Sequence, residues 1–76
     1  MKNTKILGYK VIAEYGCYQH ETMLADTANR AFKYLKECQE LGAEYITIKM
    51  RTVTKKFLFI KEYDETVILE WSKEEE

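Results

Sequence analysis

The sequence predicts an α+β domain with one antiparallel sheet of five strands, ordered ββαβββ along the chain and 2-1-3-4-5 in space, and one helix packed on one face. Three observations carry this prediction. Ala28, Ala31, Phe32, Leu35, Cys38 and Leu41 recur at helical spacing. Lys5 to Tyr15 and Tyr45 to Val53 alternate between apolar and polar residues, as half-buried strands do. Two short apolar runs, Phe57–Ile60 and Val67–Trp71, then supply the last strands.

The first strand, Lys5 to Tyr15, is expected to turn Leu7, Tyr9, Val11, Ala13 and Tyr15 toward the helix. Gly16-Cys17 fits a two-residue hairpin loop with glycine first, which pairs Tyr15 with Tyr18, Ala13 with His20, Val11 with Thr22 and Tyr9 with Leu24. Strand two is then Tyr18 to Leu24, with Gln19, Glu21 and Met23 on its outer face. The helix runs over residues 27 to 41, capped by Asp26 or Thr27 and ended by Gly42. A helix of this length is marginal alone in water, so it needs a sheet against its apolar stripe, with Phe32 and Leu35 buried on Val11, Ile48 and Leu69.

The third strand directs Ile46, Ile48 and Met50 one way and Tyr45, Thr47, Lys49 and Arg51 the other. Strands four and five meet at an acidic turn, Tyr63-Asp64-Glu65, which collects Leu58, Ile60, Val67, Leu69 and Trp71 on one face. Parity then requires an odd loop at Val53-Thr54-Lys55, or a bulge nearby, because a one-residue slip reverses every side chain.

At 76 residues, 46% of them hydrophobic, the chain has enough apolar surface for one core, so residues 1–76 read as a single domain with 1–4 and 73–76 expected to fray. Cys17 and Cys38 make no dense disulfide framework, and no charged-then-apolar leader precedes the fold, which points to the cytoplasm and to free thiols. No apolar run approaches membrane-spanning length, and no membrane is expected among the partners. The formal net charge of −1 argues against a general affinity for nucleic acid, although Lys49 to Lys61 carries Lys49, Arg51, Lys55, Lys56 and Lys61 without one acid.

No catalytic constellation is legible. His20 is the only histidine, expected on the inward side of its strand, and Cys17 sits three residues away, so that the two side chains would leave a strand on opposite faces. Cys38 falls on the helix's apolar stripe as a small core residue. Two cysteines and one histidine without ligand spacing make no metal site, and no glycine-rich phosphate loop is present. The chain is therefore expected to be no enzyme, to need no cofactor and to bind no metal.

What remains is the sheet face away from the helix, expected to carry Ile6, Ile12, Met23, Tyr45, Phe57, Phe59, Tyr63 and Ile68 among Lys10, Lys49, Arg51 and Lys61. Contiguous apolar groups of that kind mark interfaces, where aromatic residues and arginine are enriched. The sequence thus predicts a small protein-binding module, an adaptor or inhibitor of a larger protein, with Tyr45, Arg51, Phe57, Phe59, Tyr63 and Ile68 as contact residues and homodimerisation through the same face as a variant. The alternative is a single-stranded nucleic-acid binder holding phosphates with Lys49, Arg51, Lys55 and Lys56. In format alone the chain is similar to small phage and mobile-element proteins that block a host machine, an analogy that rests on no motif.

Overall fold

A computed structural model describes residues 3–75. The order of elements is β1 (Asn3–Glu14), β2 (His20–Ala25), α1 (Ala28–Glu40), β3 (Tyr45–Lys55), β4 (Lys61–Ser72) and a closing 3-10 turn, Lys73–Glu75. The sheet is antiparallel with the order β2-β1-β3-β4. Asn3 and Thr4 pair with Lys55 and Thr54. Met1, Lys2 and Glu76, which belong to the ends expected to fray, lie outside the described residues.

The helix forms where its stripe and caps place it. Thr27 is the N-cap, its side chain accepting from the amide of Arg30 at 3.2 Å. At the other end Gly42 takes φ +94°, and the amides of Gly42 and Ala43 close back on Gln39 and Cys38, which satisfies carbonyls the helix leaves orphaned. The helix packs on β1, β2 and β3. Val11, Ala13, Ala25, Ala31, Cys38, Ala43, Ile46 and Ile48 form the buried core, with Tyr9, Tyr15, Met23, Tyr34, Leu35, Leu69 and Trp71 packed around it. Phe32, expected at the centre of the core, instead stands 40% exposed.

Among the described residues the sheet has four strands, not the five predicted. β3 continues through Val53 and Thr54 to Lys55, and the run predicted as strand four, Phe57–Ile60, is the hairpin loop. The amide of Lys56 donates to the Ile60 carbonyl at 3.0 Å and closes that loop. The predicted turn Tyr63-Asp64-Glu65 lies within β4, each residue paired with β3. Leu58 and Ile60 are consequently exposed, not under the helix, and the odd-length loop falls at the end of β3 instead of at Val53-Thr54-Lys55.

The first hairpin is also shifted by one residue. Its loop spans Gly16-Cys17-Tyr18, with Cys17 and Tyr18 at φ of 64° and 62°, and Tyr15 donates to Gln19 at 2.8 Å. Val11 therefore faces Met23, and Tyr9 faces Ala25. The slip turns Met23 and Ala25 inward and leaves His20 and Leu24 exposed, the reverse of the expected faces.

Two bulges change which residues share a side. Leu7 is the extra residue of β1 between Ile6 and Gly8, and Ile68 is the extra residue of β4 opposite Ile48 and Lys49. On the helix side β3 presents Ile46, Ile48, Met50, Thr52 and Thr54, and β4 presents Trp71, Leu69, Thr66, Asp64 and Glu62 opposite them. That side thus changes from apolar to polar halfway along, with Thr4 and Thr54 hydroxyls 3.0 Å apart near its far end. The helix covers the apolar half. The other half, residues 3–7, 51–55 and 61–66, stands out as a three-stranded blade, and the molecule measures 45 × 24 × 19 Å.

The β1 bulge depends on Gly8. Its φ is +151°, and a Cβ built there would lie 2.8 Å from the Ala25 carbonyl oxygen. Gly8→Ala should therefore lower the unfolding free energy by about 1–3 kcal/mol in a denaturant titration; a loss below about 0.5 kcal/mol, typical of neutral surface changes, would show that the bulge does not need glycine.

Candidate binding surface

The face away from the helix is assembled by cross-strand register. Lys10 lies opposite Lys49, Gly8 opposite Arg51, and Arg51 opposite Glu65. The Glu65 carboxylate reaches across β3 to Lys10 Nζ at 2.7 Å and lies 4.0 Å from Lys49 Nζ. The bond from Lys10, followed by the charges of Lys49 and Arg51, holds the Glu65 carboxyl below the usual carboxylate range. One acid on β4 thus reaches over β3 to β1 and offsets the basic cluster predicted from residues 49 to 61. Lys56 is similarly held by Glu62, whose carboxylate raises its ionisation.

Of the sequence-predicted contact residues, Arg51 and Tyr63 fall together. With Leu7, Thr52, Asp64 and Glu65 they line a depression on the blade, and the side chains of Tyr63, Val67 and Ile68 are exposed nearby on β4. Tyr45 is exposed at the opposite end of β3, about 20 Å from Arg51 at the rise of a strand. Phe57 and Phe59 leave the sheet altogether and occupy the hairpin tip. Met23 turns into the core margin. The open face is consequently a mixed surface of charges, threonines and tyrosines, and the concentrated apolar group lies at the tip.

Of the nucleic-acid set, Lys49, Arg51 and Lys55 alternate along one side of β3, while Lys56 sits in the loop beside Glu62. His20 and Cys17 are both exposed at the β1–β2 end and line one depression with Glu14, Glu44 and Tyr45. Among the described residues no group of three or more His, Cys, Asp or Glu is placed to hold a metal ion. Both cysteines are free, Cys17 exposed and Cys38 buried. No helix among the described residues is long and apolar enough to cross a membrane.

One buried polar group is unusual. The Tyr15 hydroxyl oxygen is sealed from solvent without a partner of hydrogen-bonding geometry among the described residues. The Cys38 thiol beside it, then burial, and the negative charge of Glu21 push the Tyr15 ionisation from 10.0 up to about 12. Because the folded value is raised, the contribution to stability is fully present below pH 10.0 and is lost as pH climbs through about 12. An absorbance titration should show a tyrosine ionising near pH 12 that is missing from Tyr15→Phe; a late ionisation surviving in that variant would contradict the assignment.

Comparison with known proteins found no match to a protein family, to a curated protein or to a solved structure.

Proposed function

We propose that the chain is a non-enzymatic protein-binding module, an adaptor or inhibitor of a larger protein, that works in the cytoplasm through the open face of its blade. The observation that carries this reading is the depression lined by Leu7, Arg51, Thr52, Tyr63, Asp64 and Glu65, with Val67 and Ile68 exposed beside it. An arginine opposite a carboxylate in register, flanked by an aromatic ring and aliphatic side chains, is the composition of an interface centre with a polar rim. Lys10 and Lys49 gather on Glu65 beside Arg51, so these cations already face a carboxylate. That favours a protein over the phosphate backbone of a single-stranded nucleic acid, which gains affinity from cations free to displace counterions.

The test compares tagged wild-type chain with Tyr63→Ala and Arg51→Glu. A partner captured stoichiometrically by the wild type should bind Tyr63→Ala about thirtyfold more weakly, as for a hot-spot residue, with unchanged far-UV circular dichroism. Undiminished binding by both folded variants would refute the proposed face. In a parallel fluorescence titration, oligonucleotide binding that collapses with salt and with Lys55→Ala would install the nucleic-acid reading instead.

A further inference from the structure

The loop that closes β3 and β4 places four apolar residues in succession at one extremity of a 45 Å molecule. Phe57, Leu58, Phe59 and Ile60 are 71, 80, 95 and 55% exposed. A strand seated in a protein groove presents alternate side chains, because its neighbours point the other way. Here consecutive residues project around a turn, and all four are open. A continuous apolar phase accommodates that arrangement better than a groove does.

The neck behind the tip is basic. Lys55 pairs directly with Lys61 across the hairpin, a like-charge juxtaposition that costs stability in a sheet. Lys5 lines the same shallow depression as these two, together with Asn3, Thr4 and Val53. None of the three lysines reaches a carboxylate among the described residues. An external anion would relieve the Lys55/Lys61 repulsion, and a headgroup phosphate has the charge for it. Glu62 and Asp64 are the acids nearest this neck, Glu62 paired with Lys56, while Glu14, Glu44 and Glu70 surround the start of β3 at the far end. The far group lies well beyond the Debye length of about 8 Å at physiological ionic strength and does not oppose the approach of the tip to an anionic surface, and the near acids are outnumbered by Lys5, Lys55, Lys56 and Lys61.

We infer that residues 57–60 insert into the interface of an anionic lipid bilayer, with Lys5, Lys55 and Lys61 on the headgroups. The contact is peripheral and needs no spanning segment, and it goes beyond the sequence-based expectation that no membrane is a partner. Amphiphilic anchors of this kind combine shallow apolar burial with attraction to acidic lipids, and the cytoplasmic leaflet supplies those lipids. The blade would stand end-on, leaving Arg51 and Tyr63 on its side face free, so this inference stands or falls separately from protein binding there.

The experiment is co-sedimentation of the full chain with vesicles of phosphatidylcholine alone and of phosphatidylcholine mixed with phosphatidylglycerol. Binding to the mixed vesicles should exceed binding to phosphatidylcholine and weaken with added salt. Lys55→Gln and Lys61→Gln should each reduce it about fivefold, the contribution of one basic residue near such a surface. The double variant Phe57→Ser/Phe59→Ser should lose it while keeping the wild-type circular dichroism, since both side chains lie in an exposed loop. In a separate variant, Leu58→Trp, indole emission should shift to the blue on adding the mixed vesicles. Absence of binding to either vesicle would overturn the inference and leave the tip as a protein contact. Binding that survives Phe57→Ser/Phe59→Ser would overturn it too, because it would then be lysine attraction without insertion.

Discussion

A helix of 13 residues is about 20 Å long, and the 12-residue strands of the sheet run about 40 Å. One helix cannot cover that sheet, and the inward positions of the strands are written accordingly. Along β3 they read Ile46, Ile48 and Met50, then Thr52 and Thr54. The aliphatic part sits beneath the helix, where burial rewards it, and the threonines follow where no layer lies above them. Thr52 and Thr54 are nonetheless buried, because they belong to the central strand and are flanked by β1 and β4. The core is therefore confined to one end, and every exposed feature of the blade is a consequence of that confinement.

The bulges at Leu7 and Ile68 make the change of face possible without breaking the sheet. Strict alternation along β4 would carry Val67, Glu65 and Tyr63 onto the helix side. The extra residue puts Thr66, Asp64 and Glu62 there instead, and turns Glu65 toward Lys10, Lys49 and Arg51. The ion pairs this creates are partly exposed and individually weak. Their effect is organisational: Glu65 reaches over β3 to Lys10 and ties β4 to β1 where the blade meets the core. β4 is an edge strand as well, and its Lys61, Glu62, Asp64, Glu65 and Glu70 discourage pairing with another chain.

The helix and the central strands were legible because each signal was both periodic and bounded. Thr27 and Gly42 marked the helix ends, and Val11, Ala13, Ile46 and Ile48 lay on one parity of their strands. The second hairpin was not legible, because Phe57–Ile60 has strand composition and the turn contains no glycine, proline or asparagine. The alternation of β3, which continues through Val53 to Lys55, was the signal that would have moved the turn later. In the first hairpin Gly16 pointed to the wrong position, since the left-handed residues are Cys17 and Tyr18, neither of which announces that conformation. The candidate surface divides in the same way: Arg51 and Tyr63 lie on the side of the sheet away from the helix, whereas Phe57 and Phe59, whose composition suits a strand, do not join the sheet. The bulges at Leu7 and Ile68 left no mark in composition, because they serve the packing of distant segments.

Amide hydrogen exchange resolved along β3 addresses the confinement of the core most directly. Residues near Ile46 and Ile48, under the helix, should exchange only through global unfolding. Those near Thr52 and Thr54 should exchange through local opening of the blade, at a lower free energy. A protection profile that is level from Ile46 to Thr54, or that rises toward Thr54, would contradict a core held at one end by the helix.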